Sequence, residues 1–264
     1  MLKGAIHTHS TYSDGEFTLE ELREIFVAKG CAFVCVADHA ESFDSEKLNV
    51  YLRHCEVLSD NSFLFVPGLE YAAREGMHVL GYGMTTLVAT KDLQEIVSHI
   101  EREGGISVIA HPKEGMFGSI EALKYLPKGL EVWNSKYDGR YAPRPGTIAL
   151  FHRLRQRRPD MQAFYGQDLH WKRQYRGLLN LVQCETLGRD SVLRALASGR
   201  YCGSKDGLVL PASGEFPHEL LQRFAVAHRR SARLQRLLKG GKRLLDRLGV
   251  SVPAAVKAQM RRLT

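Results

Sequence analysis

The feature that most limits the fold of this chain is an alternation running through residues 1–214. Short β-rich apolar runs take turns with segments whose apolar residues recur at helical spacing. The spacing predicts strands at 3–7, 32–37, 63–69, 78–83, 106–110, 130–134, 162–166 and 201–203. Thr18-Leu19-Glu20-Glu21 is a capping-box signature, which opens a helix with Leu19, Leu22, Ile25 and Phe26 on one face. Asp92 to Arg102 and Arg189 to Ala197 are likewise helical in pattern. Gly30, Gly104-Gly105 and Gly199 follow helical segments, where a left-handed cap is expected. Alternating units of this kind predict an α/β fold with a mainly parallel sheet, and seven or eight of them predict a (β/α) barrel.

Charge divides the chain. Residues 215–264 hold 12 Lys/Arg and 3 Asp/Glu, whereas residues 1–214 hold 25 and 26, so a nearly neutral domain carries a basic extension. The segment from Pro211 to Pro217 is the expected linker between them. Arg223 to Leu248 is helical in pattern with a break at Gly240-Gly241, and Pro253 to Leu263 is expected to add a short helix. Residues 223–248 interleave leucines with arginines and lysines. Such a helix can lie on an anionic membrane surface, meet nucleic-acid phosphates, or pack on the domain by its leucines. The longest apolar runs, such as Phe33 to Ala37, are far below the roughly 20 residues a membrane span needs. Five cysteines without a Cys-x-x-Cys pair, and an N-terminus without signal-peptide features, point to a cytoplasmic protein, with membrane periphery allowed by the tail.

The chemistry gathers at predicted strand ends. His7 and His9 follow the first strand and Asp14 lies in the next turn. Asp38-His39 ends the second, Glu70 follows the third, His78 begins the fourth, and His111 ends the fifth. Asp168 and His170 follow the strand at 162–166. Residues i and i+2 of extended chain project to one side, so His7/His9 and Asp168/His170 can each converge on one ion. Folding would bring these distant groups to one rim. Imidazole and carboxylate without thiolate suit Zn, Mn or Fe at a catalytic rather than a structural site. Six His, two Asp and one Glu are enough for two or three divalent ions. His54, His99, His152, His218 and His228 fall outside this set and are expected to be solvated or structural.

Taken in order, His7-Thr8-His9-Ser10, Ser13-Asp14-Gly15, Asp38-His39, Pro67-Gly68-Leu69-Glu70, His78-Val79-Leu80-Gly81, His111-Pro112 and Gly166-Gln167-Asp168-Leu169-His170 resemble the motifs of the PHP (polymerase and histidinol phosphatase) superfamily. The resemblance implies a distorted (β/α)7 TIM-like barrel that hydrolyses phosphate esters at a di- or trinuclear site. Position by position, it implies His7, His9, Glu70 and Asp168 on a first ion. Glu70 would bridge to a second ion with His78 and His111, while Asp14, His39 and His170 would hold a third. Asp38 would orient a ligand histidine from behind. Ala40 after Asp38-His39 and Gln167 before Asp168 depart from the family pattern without removing a ligand.

The expected reaction is hydrolysis by a metal-bridging hydroxide. The expected substrate is a phosphorylated small molecule, with a phosphomonoester ahead of a nuclease-type diester. A binding module using the basic tail and a metal-dependent amidohydrolase are the other readings. Glu70 in the bridging position, where an amidohydrolase usually has lysine, speaks against the latter. Lys113, Lys136, Arg140 and Arg173 are candidate phosphate binders, and Trp133, Tyr137 and Trp171 candidate stacking surfaces near the same rim.

Overall fold

The structure is a computed structural model and describes residues 1–139 and 142–247. Arg140, Leu248 and the segment Pro253 to Leu263 lie outside the described residues.

The expected alternation is present, but the strands form two mixed sheets. One sheet has the order β12-β11-β10-β1-β2-β4. It comprises β1 (Leu2–Thr8), β2 (Phe33–Val36), β4 (Leu64–Val66), β10 (Leu179–Val182), β11 (Tyr201–Lys205) and β12 (Leu208–Pro211). The other has the order β3-β5-β6-β7-β8-β9. Its strands are β3 (Asp38–His39), β5 (Gly68–Ala72), β6 (His78–Tyr82), β7 (Ile106–Ala110), β8 (Gly129–Asn134) and β9 (Gln162–Gly166).

The ladder does not close into a single barrel among the described residues, and the sheets are less parallel than expected. β6 runs antiparallel to both β5 and β7, and β10 runs antiparallel to both β1 and β11. Twice the chain passes from one sheet to the other at a predicted strand. The run at 32–37 is β2, followed beyond Ala37 by β3 in the other sheet, and the run at 63–69 is divided into β4 and β5 on either side of Pro67. Proline has no N–H to give a ladder, so Pro67 is a natural place for the chain to change partners. The two sheets meet where β1 and β9 end. There Gln167 N–H donates to the Ile6 carbonyl at 3.0 Å and His9 N–H to that of Leu169 at 2.9 Å.

The helices cover the outside of these sheets. α1 (Leu19–Ala28) has the complete capping box, with Thr18 and Glu21 bonding each other's backbone N–H. α2 (Ser45–Val57) and α3 (Leu93–Arg102) are capped by Asp44 and Asp92. α4 (Phe117–Glu121), α5 (Pro145–Arg157) and α6 (Arg189–Ala197) complete the set before the C-terminal α7 (His218–Arg247). Gly30, Gly104 and Gly199 adopt the expected positive φ. α7 runs unbroken through Gly240-Gly241, contrary to the expected break, because a helical glycine costs only about 1 kcal/mol relative to alanine.

β1, β2, β7, β8 and β9 are buried almost throughout. Trp133 belongs to this interior: it is fully buried and its indole N–H donates to the Gly139 carbonyl at 3.0 Å. It is a packing residue and not a stacking surface.

Candidate metal centre

At the seam between the sheets, the structure brings together all nine residues singled out by the strand-end pattern. His7 lies on β1 at φ 60°, where the register with β2 shifts between Ile6 and Thr8. His111 just after β7 and Asp168 just after β9 also have positive φ, 28° and 51°. L-residues avoid this region at a cost of roughly 1–3 kcal/mol each. The strain turns three strand ends so that their side chains face one another.

Three groups of side-chain atoms lie close enough to hold a metal ion, each with its atoms within 4.8 Å of one another. They are His7/His9/Asp168, His7/Glu70/His111, and His9/Asp14/His39/His170. Metal–nitrogen and metal–oxygen bonds of about 2.0–2.2 Å fit such a span. Glu70 sits at the centre. Its Oε2 is 3.3 Å from His9 Nε2 and 3.5 Å from His7 Nε2 and His39 Nδ1, while Oε1 is 3.0 Å from His111 Nε2. Asp14 Oδ1 is 3.2 Å from His170 Nε2 and 3.5 Å from His39 Nε2. His78 belongs to none of the three groups; its Nδ1 bonds Glu70 Oε1 at 2.8 Å.

His7 and His9 are completely buried. Yet His7 Nε2 and both ring nitrogens of His9 have no hydrogen-bond partner among the described residues. Buried polar atoms without partners are costly, so nitrogens left bare and aimed at carboxylates fit a site for divalent cations.

The charges are coupled. Burial opposes protonation of His7, but Glu131, Asp168 and Glu70 outweigh it and hold its pKa well above the usual histidine range. For His9 burial prevails and its pKa falls well below that range. Burial would raise Glu70 and Asp168, but His7 and their other histidine partners draw both well below the ordinary carboxylate range. A cationic environment therefore keeps these two carboxylates charged.

Asp38 is buried beside the site with partners other than the expected histidine. Its carboxylate accepts from Ser10 N–H and Ser10 Oγ, both at 2.8 Å, and from Ser13 Oγ at 2.6 Å. It fixes the loop that carries His9 and Asp14. The carboxylate that does orient a histidine is Glu131 on β8, which the sequence pattern missed. Its Oε1 is 2.7 Å from His7 Nδ1, and its Oε2 accepts from His111 N–H and Asn134 Nδ2, both at 2.9 Å. Both ends of Glu131 thus tie the site to the sheet. Gly166 on β9 makes room for it, since a Cβ there would come within 1.7 Å of Glu131 Oε1. The readable signal was a glutamate inside a buried strand, Gly129–Asn134.

Of the candidate phosphate binders, Lys136 reaches the centre, with Nζ 2.9 Å from Asp168 Oδ1 and 3.1 Å from His170 Nδ1. Its loop is anchored by buried Asp138, which accepts from Asn134 N–H at 2.8 Å and pairs with Arg144 Nε at 3.0 Å. Burial pushes the Asp138 pKa up to about 7 even beside that guanidinium. Lys113 and Lys136 stand over the Tyr137 ring, with Nζ 6.0 and 5.0 Å from its centre, and that ring lies 4.6 Å from the His111 ring. Arg173 stands over Trp171, beside His170. Tyr137 and Trp171 are exposed. The five remaining histidines stay outside the centre; His54, for example, bonds Tyr12 and Glu20 on the outer face.

No family profile matches the chain. A segment is 30% identical over 77 residues to the DNA polymerase/3'-5' exonuclease PolX of Bacillus subtilis, a match spanning 26% of this chain and 14% of that protein. Among solved structures, a two-domain protein from Bacteroides vulgatus containing a predicted PHP-like metal-dependent phosphoesterase superposes with a TM-score of 0.56. It is 17% identical, and the superposition covers 84% of this chain and 68% of that one. A protein from Bifidobacterium adolescentis assigned as a metal-dependent phosphoesterase is 16% identical with a TM-score of 0.48, over 74% of this chain and 96% of that one. The superposition on the Bacteroides vulgatus protein extends the similarity carried by the motifs to the fold.

Proposed function

We propose that this protein is a metal-dependent phosphoesterase whose substrate is a phosphorylated small molecule, with a monoester preferred. The observation that carries the reading is the trio of overlapping His/Asp/Glu groups around Glu70, two of whose histidines are buried with ring nitrogens otherwise bare. His7, His9 and Asp168 would hold one divalent ion, Glu70 and His111 a second, and Asp14, His39 and His170 a third. His78 supports Glu70 through their hydrogen bond. Zn, Mn and Fe all suit this donor set. When bound, such ions polarise phosphoryl oxygens and make water a better nucleophile at neutral pH.

The chain's own residues do the rest. Glu131 holds His7 by Nδ1 and so leaves Nε2 facing the centre. Lys136 offers an ammonium at the Asp168/His170 edge, where it can meet a phosphoryl oxygen. Lys113 and Arg173, beside the exposed rings of Tyr137 and Trp171, are further candidates for the substrate's phosphate. Arg140 remains a candidate from sequence alone.

The test is turnover of an aryl phosphate monoester and the matching diester by the purified protein supplied with Mn or Zn. Metal-dependent monoester turnover that is lost in His9→Ala supports the proposal, and full turnover in that variant sinks it. The short match to the exonuclease PolX favours a second reading, cleavage of phosphodiesters. Activity confined to the diester or to oligonucleotides would establish it over the first.

A further inference from the structure

α7 is 30 residues long, about 45 Å of helix, and among the described residues it is its beginning that rests on the rest of the molecule. Phe224 is buried against Phe216, and Leu220, Leu221 and Ala227 pack on the core. Among the described residues, the apolar side chains packed on that core end at Ala227. The apolar stripe itself does not end there. Leu220, Ala227 and Leu234 follow one another at seven-residue spacing, and Phe224, Leu238 and Leu245 continue the adjoining row. Leu237 widens the stripe and is 65% exposed, and Leu234 is exposed as well. Arg229, Arg233 and Arg236 occupy the remaining arc of the helix and Arg230 lies between Leu234 and Leu237 around the axis, all four exposed. Over its whole length α7 carries nine Lys/Arg against two acidic residues.

What covers the outer stripe is decided by charge and by the leucines together. A second copy of the helix would set basic residues against basic residues, because Glu219 and Asp246 are the helix's acids and stand at its two ends. A nucleic acid would answer the arginines but leave Leu234, Leu237 and Leu238 in water. A bilayer with anionic headgroups answers both: leucines enter the acyl boundary while arginines reach the phosphates. We infer that the outer half of α7, from Arg229 onward, is a docking surface for an anionic lipid bilayer, and that it brings the metal centre to a membrane surface. No described helix is long and apolar enough to cross a membrane, so the helix lies on the surface.

Co-sedimentation of the full chain with vesicles tests this, using 2:1 phosphatidylcholine:phosphatidylglycerol and pure phosphatidylcholine in parallel. The expected result is binding to the anionic vesicles, weakened by salt, with little binding to the neutral ones. A triple Leu234→Asp/Leu237→Asp/Leu238→Asp variant and a quadruple Arg229→Gln/Arg230→Gln/Arg233→Gln/Arg236→Gln variant should each bind at least tenfold more weakly. The arginine variant leaves the leucines intact and so guards against a folding artefact, which circular dichroism checks for both. Absence of binding to anionic vesicles overturns the inference, as does equal binding to neutral ones. It also fails if the leucine variant still binds the vesicles, if an oligonucleotide is bound in place of lipid, or if the Leu→Asp changes merely break a dimer.

Discussion

The metal centre and the outer half of α7 are both crowded with ionisable groups, and they are built in opposite ways. In the centre, His7, His9, Glu70 and Asp168 are taken almost wholly out of water, and each faces potential ligands from other strands. On the outer half of α7, Arg229, Arg230, Arg233 and Arg236 are exposed, and so are Leu234 and Leu237. Burial makes every charge in the centre depend on its neighbours, because an unpartnered polar group there costs several kcal/mol. Exposure makes each residue of α7 nearly independent. Ionisable groups thus form a buried cluster with the spacing of a cation site in one place and an exposed basic surface in the other.

This contrast predicts a graded set of effects. The largest is on turnover: Asp168→Ala should lower kcat on an aryl phosphate by about 10³-fold. A loss under tenfold would mean that the buried cluster is not the reactive site. Glu131→Gln keeps the size of the side chain but removes its charge from His7. It should weaken metal affinity by about 10–100-fold, measured by calorimetric titration of the chelator-stripped protein. If affinity is unchanged, Glu131 serves the sheet alone.

Stripping the metal should itself lower the melting temperature. At a metal concentration 100 times Kd, binding contributes about 2.7 kcal/mol, equivalent to roughly 5–10 °C in a chain of this size. Identical melting curves with and without chelator would contradict a bound ion in the folded state. Gly166→Ala should cost about 1–3 kcal/mol of stability by forcing Glu131 aside, with weakened metal binding as its signature. The smallest effect belongs to the other region. Leu237→Ala should change stability by no more than about 0.5 kcal/mol in denaturant unfolding, and a larger loss would reveal packing of α7 that its exposure does not predict.

Legibility in the sequence followed the same division between local and distant causes. The helix of Leu19–Ala28 was readable because its cap is written within four consecutive residues, Thr18 to Glu21. The nine strand-end residues were readable because histidine and carboxylate interrupt apolar runs, and buried polar groups need a purpose. Antiparallel β6 was not readable, since apolar runs look alike whichever way their neighbours point. Nor were β10 and β12, which were absent from the predicted strands. Asp38 stands next to His39 in sequence, but the fold gives it Ser10 and Ser13 as partners.

By itself the sequence determined the alternation of strands and helices, the caps that bound them, the basic tail, and which residues were available for metal chemistry. These depend on neighbours a few positions apart, where backbone and side-chain preferences act directly. Tertiary structure alone decided the change of sheet at Ala37 and Pro67, the positive φ of His7, His111 and Asp168, and the choice of Glu131 as the partner of His7 from 124 positions away. Such choices rest on strand register and on which charges share a dry space, and neither exists until the chain has closed around them.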